Sequence, residues 1–301
     1  MTYDIIVVGA GPAGLTAALY ALRAGKSVLI LEKGAFGGQA TFSPKIENYP
    51  GLTEISGSDL ADKMVEQVLY QGADVDVEEV VEIKNEGNLK KVVTDSGEHL
   101  ARAVIVATGA HHRRLGVEGE DKFIGEGISF CAVCDGAFYK DKKVLVIGGG
   151  NSALQEALSL SEICEEVTIV QNLAFFTGEE RLQALINKKD NVSVIFSHTV
   201  ERVLGDTAFE GIVIKGEKGE RELKADGMFV AIGLVPEMKA FESVIELDER
   251  GYAKSGEACI TKTEGIYVAG DCRTKDVRQI STACADGAIA ALTAVKYVEN
   301  L

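Results

Sequence analysis

The sequence predicts an α/β protein made of two doubly wound nucleotide-binding-like (Rossmann-type) domains, the second inserted in the first. Three observations carry that expectation. Two glycine-rich turns, Gly9-Ala10-Gly11-Pro12-Ala13-Gly14 and Gly148-Gly149-Gly150-Asn151-Ser152-Ala153, each follow an apolar strand and open a helical run. Behind each helix comes another apolar strand, so each turn sits in a βαβ unit. Near the C-terminal end, Gly265-Ile266-Tyr267-Val268-Ala269-Gly270-Asp271 reads as a strand ahead of a small-residue helix, and it completes the first domain. The expected division is residues 1–113 with 243–301 for the outer domain and 114–242 for the inserted one.

Taken in order, the first fingerprint follows the strand Tyr3 to Val8. Gly9 permits the tight turn, Gly11 lets backbone approach a pyrophosphate, and Gly14 allows the helix to pack closely on the strand. Pro12 and Ala13 open the helix, whose free N–H groups and positive dipole end face the phosphates. The next strand, Ser27 to Leu31, ends in Glu32, where an acid can hydrogen-bond both ribose hydroxyls, and Lys33 follows it. The second fingerprint repeats this grammar between Lys143–Ile147 and Glu166–Val170. Val104 to Gly109 and Met228 to Gly233 are matching strands ending in small-residue turns, as a duplication would leave them. In the C-terminal segment, Asp271 can hold a sugar-alcohol hydroxyl, and the helix after Arg278-Gln279-Ile280 presents its N-terminus to a ring carbonyl.

Bulk properties exclude several classes. A net charge of −15 over 301 residues argues against nucleic acid and anionic membrane surfaces as partners. No apolar run reaches membrane-span length, and the chain begins on a buried-type strand, so a soluble protein without a leader is expected. Six cysteines in so long a chain do not make a disulfide framework, and a reducing, cytoplasmic compartment is expected.

Between the fingerprints lies Phe130-Cys131-Ala132-Val133-Cys134-Asp135. Cysteines three apart can close a disulfide. Once reduced, one thiol can attack a partner's disulfide while the other resolves the mixed intermediate. Asp135 could hold or deliver the proton that a sulfur needs. A zinc half-site or a structural disulfide are the other readings; zinc would need two more soft ligands, whereas Cys164, Cys259, Cys272 and Cys284 stand singly. Cys164 and Cys272 are expected in the core, Cys272 having a cofactor-facing alternative because it follows Gly270-Asp271.

These residues resemble the low-molecular-weight thioredoxin reductases along nearly the whole chain. The likeness rests on Gly9–Gly14, Gly37-Gly38-Gln39, Ile46-Glu47-Asn48-Tyr49-Pro50-Gly51, Ala107-Thr108-Gly109, Cys131–Asp135, Gly270-Asp271 and Arg278-Gln279. It implies FAD in the outer domain, held by those motifs together with Glu32, Lys33 and Ile280. It also implies that Cys131 and Cys134 form the redox disulfide, with Cys134 toward the flavin and Asp135 as acid–base group. A homodimer and a thioredoxin as substrate are implied as well.

One stretch departs from the pattern. NADPH-using members follow the second strand of the inserted domain with a cluster of arginines that clamps the 2′-phosphate. Here the chain reads Val170-Gln171-Asn172-Leu173-Ala174-Phe175-Phe176-Thr177-Gly178-Glu179-Glu180, with no basic residue before Arg181. The departure resembles the ferredoxin-dependent flavin thioredoxin reductases, and ferredoxin is the expected donor. An acidic ferredoxin would need a basic face, for which His111-His112-Arg113-Arg114, Lys140/Lys142/Lys143 and Lys188-Lys189 are the dense candidates. NADPH with an atypical phosphate site, an oxygen-using dithiol oxidase and a non-catalytic flavin redox sensor are the alternatives. No metal site is expected.

Overall fold

The computed structural model describes residues 2–43 and 45–301. They divide into two compact units, Met1–His111 with Val235–Leu301, and His112–Leu234. The chain begins with β1 (Thr2–Val8), α1 (Pro12–Arg23) and β2 (Val28–Glu32). Then come α2 (Gly57–Tyr70) and β3 (Asp74–Val77), followed by an antiparallel meander of β4 (Val80–Glu86), β5 (Leu89–Thr94) and β6 (Glu98–Val106). β7 (Ala110–His112) leads to α3 (Glu120–Phe123), β8 (Ile128–Ser129) and the single turn α4 (Ala132–Asp135).

The second βαβ unit is β9 (Lys143–Ile147), α5 (Asn151–Ser161) and β10 (Glu166–Val170). It continues through α6 (Glu180–Ile186) and β11 (Val192–Ile195) to a three-stranded antiparallel sheet of β12 (Thr199–Leu204), β13 (Gly211–Gly216) and β14 (Gly219–Lys224). β15 (Gly227–Val230) returns to the parallel sheet, and β16 (Leu234–Pro236) pairs with β7 as a two-stranded ribbon. β17 (Ile266–Val268) and the long α7 (Ile280–Glu299) finish the chain.

The two sheets repeat one topology. In the first unit the parallel order is β3-β2-β1-β6, with β17 on the second half of β6 and β5 on its first half. In the second it is β11-β10-β9-β15-β8. The alternation of the strands decides their two faces. Ile5, Val7 and Ile105 face α1 and α7, where Ala17, Ala18, Ala290 and Ala294 allow close helix approach. Ile6, Val8, Val104 and Val106 face Met238, Phe241 and Ile245. The second division falls at Leu234/Val235, where the sequence reading places it at 242/243, and Met238 and Phe241 bury their side chains in the first unit. The first boundary likewise lies at His111/His112 and not at 113/114.

Both fingerprint turns are forced to glycine by the same approach. Gly9 has φ +103° and Gly148 φ +134°, and a Cβ on either would stand 2.5 Å from a carbonyl oxygen, that of Ala107 or of Ala231. α7 is held equally close to α1. A Cβ on Gly287 would lie 2.1 Å from the Ala13 carbonyl oxygen, and nothing there can move except helix backbone.

Gly287→Val should therefore push the two helices apart and lower stability by about 2 kcal/mol or more. Gly97→Ala, whose Cβ would meet nothing within 4 Å, should leave the urea midpoint unchanged.

Candidate active site

In the first unit the expected nucleotide residues converge at the C-terminal ends of β1 and β6, the edge where open α/β sheets bind ligands. α1 starts at Gly11 with no side-chain cap and no acid in its first turn, so its first N–H groups are not satisfied by a side chain. A Cβ on Gly11 would touch no protein atom within 4 Å, while one on Gly38 would reach the Gly11 Cα at 3.4 Å. Gly37 N–H donates to the Ala10 carbonyl at 2.8 Å, which ties the 37–39 turn to the fingerprint. Glu32 accepts from Ala10 N–H at 2.7 Å and from Gly34 N–H at 3.0 Å, one bond to each carboxylate oxygen. Each oxygen keeps a further lone pair for a diol. The Lys33 ammonium is taken by Glu237.

The C-terminal segment closes round the same edge. The Asn48 amide donates to the Gln279 side-chain oxygen at 3.2 Å, and Gln279 with Thr282 forms the capping box of α7. The Arg278 guanidinium lies 4.4 Å from the Tyr252 ring centroid. Thr108 donates to the Met238 sulfur at 3.4 Å, and Ala107 N–H to the Val8 carbonyl at 2.8 Å. Ile280 is the first residue of α7. Asp271 is the telling residue: its Oδ1 is buried with no hydrogen-bond partner, and burial raises its pKa against the pull of Lys275 and Arg278. A buried acceptor of this kind costs free energy unless something supplies a donor. A sugar-alcohol hydroxyl would do so, and the residues fit a dinucleotide of that type.

Sequence reasoning missed the residue that fixes this turn. Asp286 on α7 accepts from Gly270 N–H at 3.0 Å, from Arg273 through Nε and Nη2 at 2.8 Å each, and from Lys275 at 2.8 Å. Burial alone would raise its pKa, but the Arg273 and Lys275 hydrogen bonds overcome that and lower it. The signal was present only as an acid within a small-residue helix, with no spacing to connect it to Gly270.

In the second unit Cys131 and Cys134 are joined as a disulfide. Cys131 is the N-cap of α4, and Cys134 N–H donates to its sulfur at 3.2 Å. The short helix exposes Val133 (70% accessible) and turns Asp135 inward. Ser129, a second residue that escaped sequence reasoning, donates to Asp135 Oδ2 at 2.6 Å and accepts from Cys131 N–H at 3.1 Å. Burial raises the Asp135 pKa, and the Ser129 hydrogen bond opposes it.

The second fingerprint differs from the first where a nucleotide would lie. Gln171 occupies the position that Glu32 holds in the first unit. Its amide lies against Gly149, where a Cβ would come within 2.4 Å, and is used up on the Phe175 carbonyl and Asn172 N–H. The Gly149 carbonyl accepts from Thr177 and Gly178 N–H at 2.8 and 3.0 Å. Asn151, at the start of α5, exchanges hydrogen bonds of 2.7 and 2.9 Å with Glu179, so a carboxylate sits beside the helix terminus.

The basic clusters are partly spent. Arg114 pairs with Asp121, His111 with Glu237, Lys143 with Glu165 and Glu166, and Lys189 with Glu162. Cys164 and Cys272 are buried, Cys272 donating to the Ala269 carbonyl at 3.3 Å. Asp76, Glu78 and His99 lie close enough for one ion, but Glu78 is already engaged by His99 and Thr94. Among the described residues no helix is long and apolar enough to cross a membrane.

Comparison with known proteins agrees with this geometry. Residues 3–287 match the family model of pyridine nucleotide-disulphide oxidoreductases. The chain is 42% identical to the thioredoxin reductase of Listeria innocua, over 99% of this chain and 95% of that protein. It is 40% identical to the "34.2 kDa protein in rubredoxin operon" of Clostridium pasteurianum, over 98% and 97%. The crystal structure of thioredoxin reductase from Streptococcus pyogenes matches with a TM-score of 0.96 at 38% identity, covering 100% of this chain and 99% of that one.

Asp286→Asn should destabilise the protein by roughly 3–5 kcal/mol at neutral pH, since it leaves two buried cations sharing no anion. Because the native pKa of Asp286 is lowered, its contribution is present above the ordinary carboxylate pKa and lost as the pH falls through the native one. Urea unfolding of both proteins from pH 7 down to pH 3 should show the difference shrinking in acid.

Proposed function

Because the chain belongs to the thioredoxin reductase family of FAD-dependent pyridine nucleotide-disulphide oxidoreductases, we propose that it reduces a thioredoxin's disulfide through Cys131 and Cys134, with electrons from ferredoxin. The observation that carries the exchange chemistry is the Cys131–Cys134 disulfide, backed by a buried carboxyl at Asp135. Residues of the first unit hold the FAD: Gly9, Gly11, Pro12, Ala13 and Gly14 at the pyrophosphate, and Glu32 at the ribose. Gly38, Gln39, Asn48, Ala107, Thr108, Gly109, Asp271, Arg278, Gln279 and Ile280 line the remainder. When bound, FAD supplies the two-electron carrier between the donor and the disulfide.

The dithiol step follows from the chain's own groups. The Cys131 thiolate attacks one sulfur of the partner's disulfide, forming a mixed disulfide and releasing the partner's other sulfur as thiolate. Cys134 then attacks Cys131, the Cys131–Cys134 bond re-forms, and the partner leaves fully reduced. Two protons pass from the pair to the partner, and Asp135 accepts and returns them at the sulfurs. A homodimer in the cytoplasm belongs to the same proposal.

The donor assignment rests on the second fingerprint. Gln171 stands where a ribose-binding acid would be, no arginine clamp follows, and Glu179 beside the start of α5 would repel a pyrophosphate. The ion pairs of His111, Arg114, Lys143 and Lys189 leave Arg113, Lys140, Lys142 and Lys188 as the basic groups for a docking face. NADPH is the second reading. What favours it is the Gly148 turn, which keeps the close approach to Ala231 seen at Gly9 in the first unit.

Mixing the purified holoenzyme anaerobically with NADPH, NADH or photoreduced ferredoxin separates the donors. Rapid loss of flavin absorbance with ferredoxin alone, coupled to thioredoxin reduction, is the expected result; equal speed with NADPH would remove the ferredoxin assignment. Cys134→Ser should keep its FAD and its flavin reduction but lose thioredoxin turnover by at least about a hundredfold. A variant that still turned over would overturn the exchange mechanism.

A further inference from the structure

A second buried carboxyl lies beside Asp135, and the exchange chemistry just described makes no use of it. Glu156 stands on α5, the helix against which α4 packs through Ala132, Ala153 and Ala157. Its Oε2 is buried without a hydrogen-bond partner, and so is Asp135 Oδ1. The influences that shift the two groups are burial, the Ser129 hydrogen bond and the charge of Asp135, with no cation among them. Two carboxyls buried side by side without a cation cannot both be ionised cheaply, so one proton stays with the pair.

We propose that Glu156 is a positioning residue for the exchange site: it shares one proton with Asp135, so that the pair offers the sulfurs an acceptor and a donor at once. This rests on the reading that Cys131 and Cys134 exchange with an external disulfide. A lone Asp135 must change state between taking a proton from the attacking thiol and giving one to the leaving thiolate. A singly protonated pair needs no such wait. The Cys131 thiol gives its proton to the Asp135 carboxylate, leaving the pair doubly protonated. The thiolate breaks the partner's disulfide, and the expelled thiolate takes a proton back. The pair ends as it began, with Cys131 and the partner joined in a mixed disulfide; Cys134 then breaks that bond, its proton passing to the second partner sulfur by the same route, and the two electrons have moved from the dithiol to the partner.

The surroundings set the order of ionisation. Burial, and then the charge of Asp135, push the Glu156 pKa up to about 8. At neutral pH Glu156 therefore keeps its proton, while burial also raises the Asp135 pKa. Ser129 on β8 and Tyr139 beyond α4 face Asp135, and Tyr139 is itself driven up to about 12 by burial and by that charge. Lys142 lies over the Tyr139 ring at 5.7 Å, and Cys164, beyond the end of α5, faces Asp141. The buried cluster thus contains acids only, as a proton store requires.

The test reads the proton directly. Infrared difference spectra of the oxidised holoenzyme between pH 6 and 10 should show a protonated-carboxyl C=O band that titrates away near pH 8. Glu156→Gln should abolish that band, and Asp135→Asn should move its midpoint to lower pH. A band untouched by Glu156→Gln, or a midpoint unmoved by Asp135→Asn, overturns the proposal; the second variant decides if the first fails to fold. As a rate, single-turnover oxidation of dithionite-reduced protein by thioredoxin disulfide should be roughly tenfold slower at pH 7 in Glu156→Gln. Its pH profile should lose the step near pH 8, and Glu156→Asp should restore much of the rate. Profiles that superimpose, or a uniform loss that Glu156→Asp does not rescue, would make Glu156 merely structural. A wild-type protein that reduces no thioredoxin overturns the functional reading instead, while the infrared band still decides the pair.

Discussion

The closeness of backbone to backbone around the glycine turns is the constraint on which the rest of the molecule depends. Gly9 lies against the Ala107 carbonyl, Gly14 against Gly9, and Gly287 against Ala13, each with no room for a Cβ. These approaches bring β1, α1 and α7 to one place, so that a bare helix terminus, Glu32 and Asp271 end up at the same sheet edge. The second unit repeats the first of these approaches at Gly148 and Ala231. The duplication is therefore visible at atomic spacing and not only in strand order.

The two copies have diverged in how they treat the groups the turn exposes. In the first, Glu32 is held by backbone N–H groups and keeps acceptor capacity in hand. In the second, Gln171 spends its amide on its own loop, and Glu179 places negative charge where an anion would otherwise be welcomed. The same turn thus leaves an acceptor in hand in one unit and is filled by the chain's own amide in the other. Below the disulfide, acid also gathers on acid, and solvation decides which group is charged.

Much of this was legible in the chain because the determining signals are local. The strand–glycine–helix grammar, the Cys131–Asp135 run and the missing arginines each lie within a few residues, and each appears where expected. What the sequence hid depends on contacts between distant segments. Asp286 matters only because α7 brings it under Gly270, and Glu156 only because α4 packs on α5. The packing near residue 240 was hidden for a like reason. Met238 and Phe241 look like linker residues until β1 and β6 supply the apolar face that buries them. Lys33, read as a nucleotide contact, has its ammonium paired with Glu237, a partner far along the chain.

The order in which the chain is made has a consequence for its assembly. The second unit is one continuous stretch, His112–Leu234, while the first waits for Val235–Leu301 to deliver β17 and α7. On the ribosome the inner unit has all its strands before the outer one can close, reversing the usual N-terminal-first sequence of domain folding. Until α7 emerges, the alanine face of α1 and the edge of β6 are without their partners. Synthesis therefore delivers every strand of the disulfide-bearing unit before the last pieces of the other unit exist.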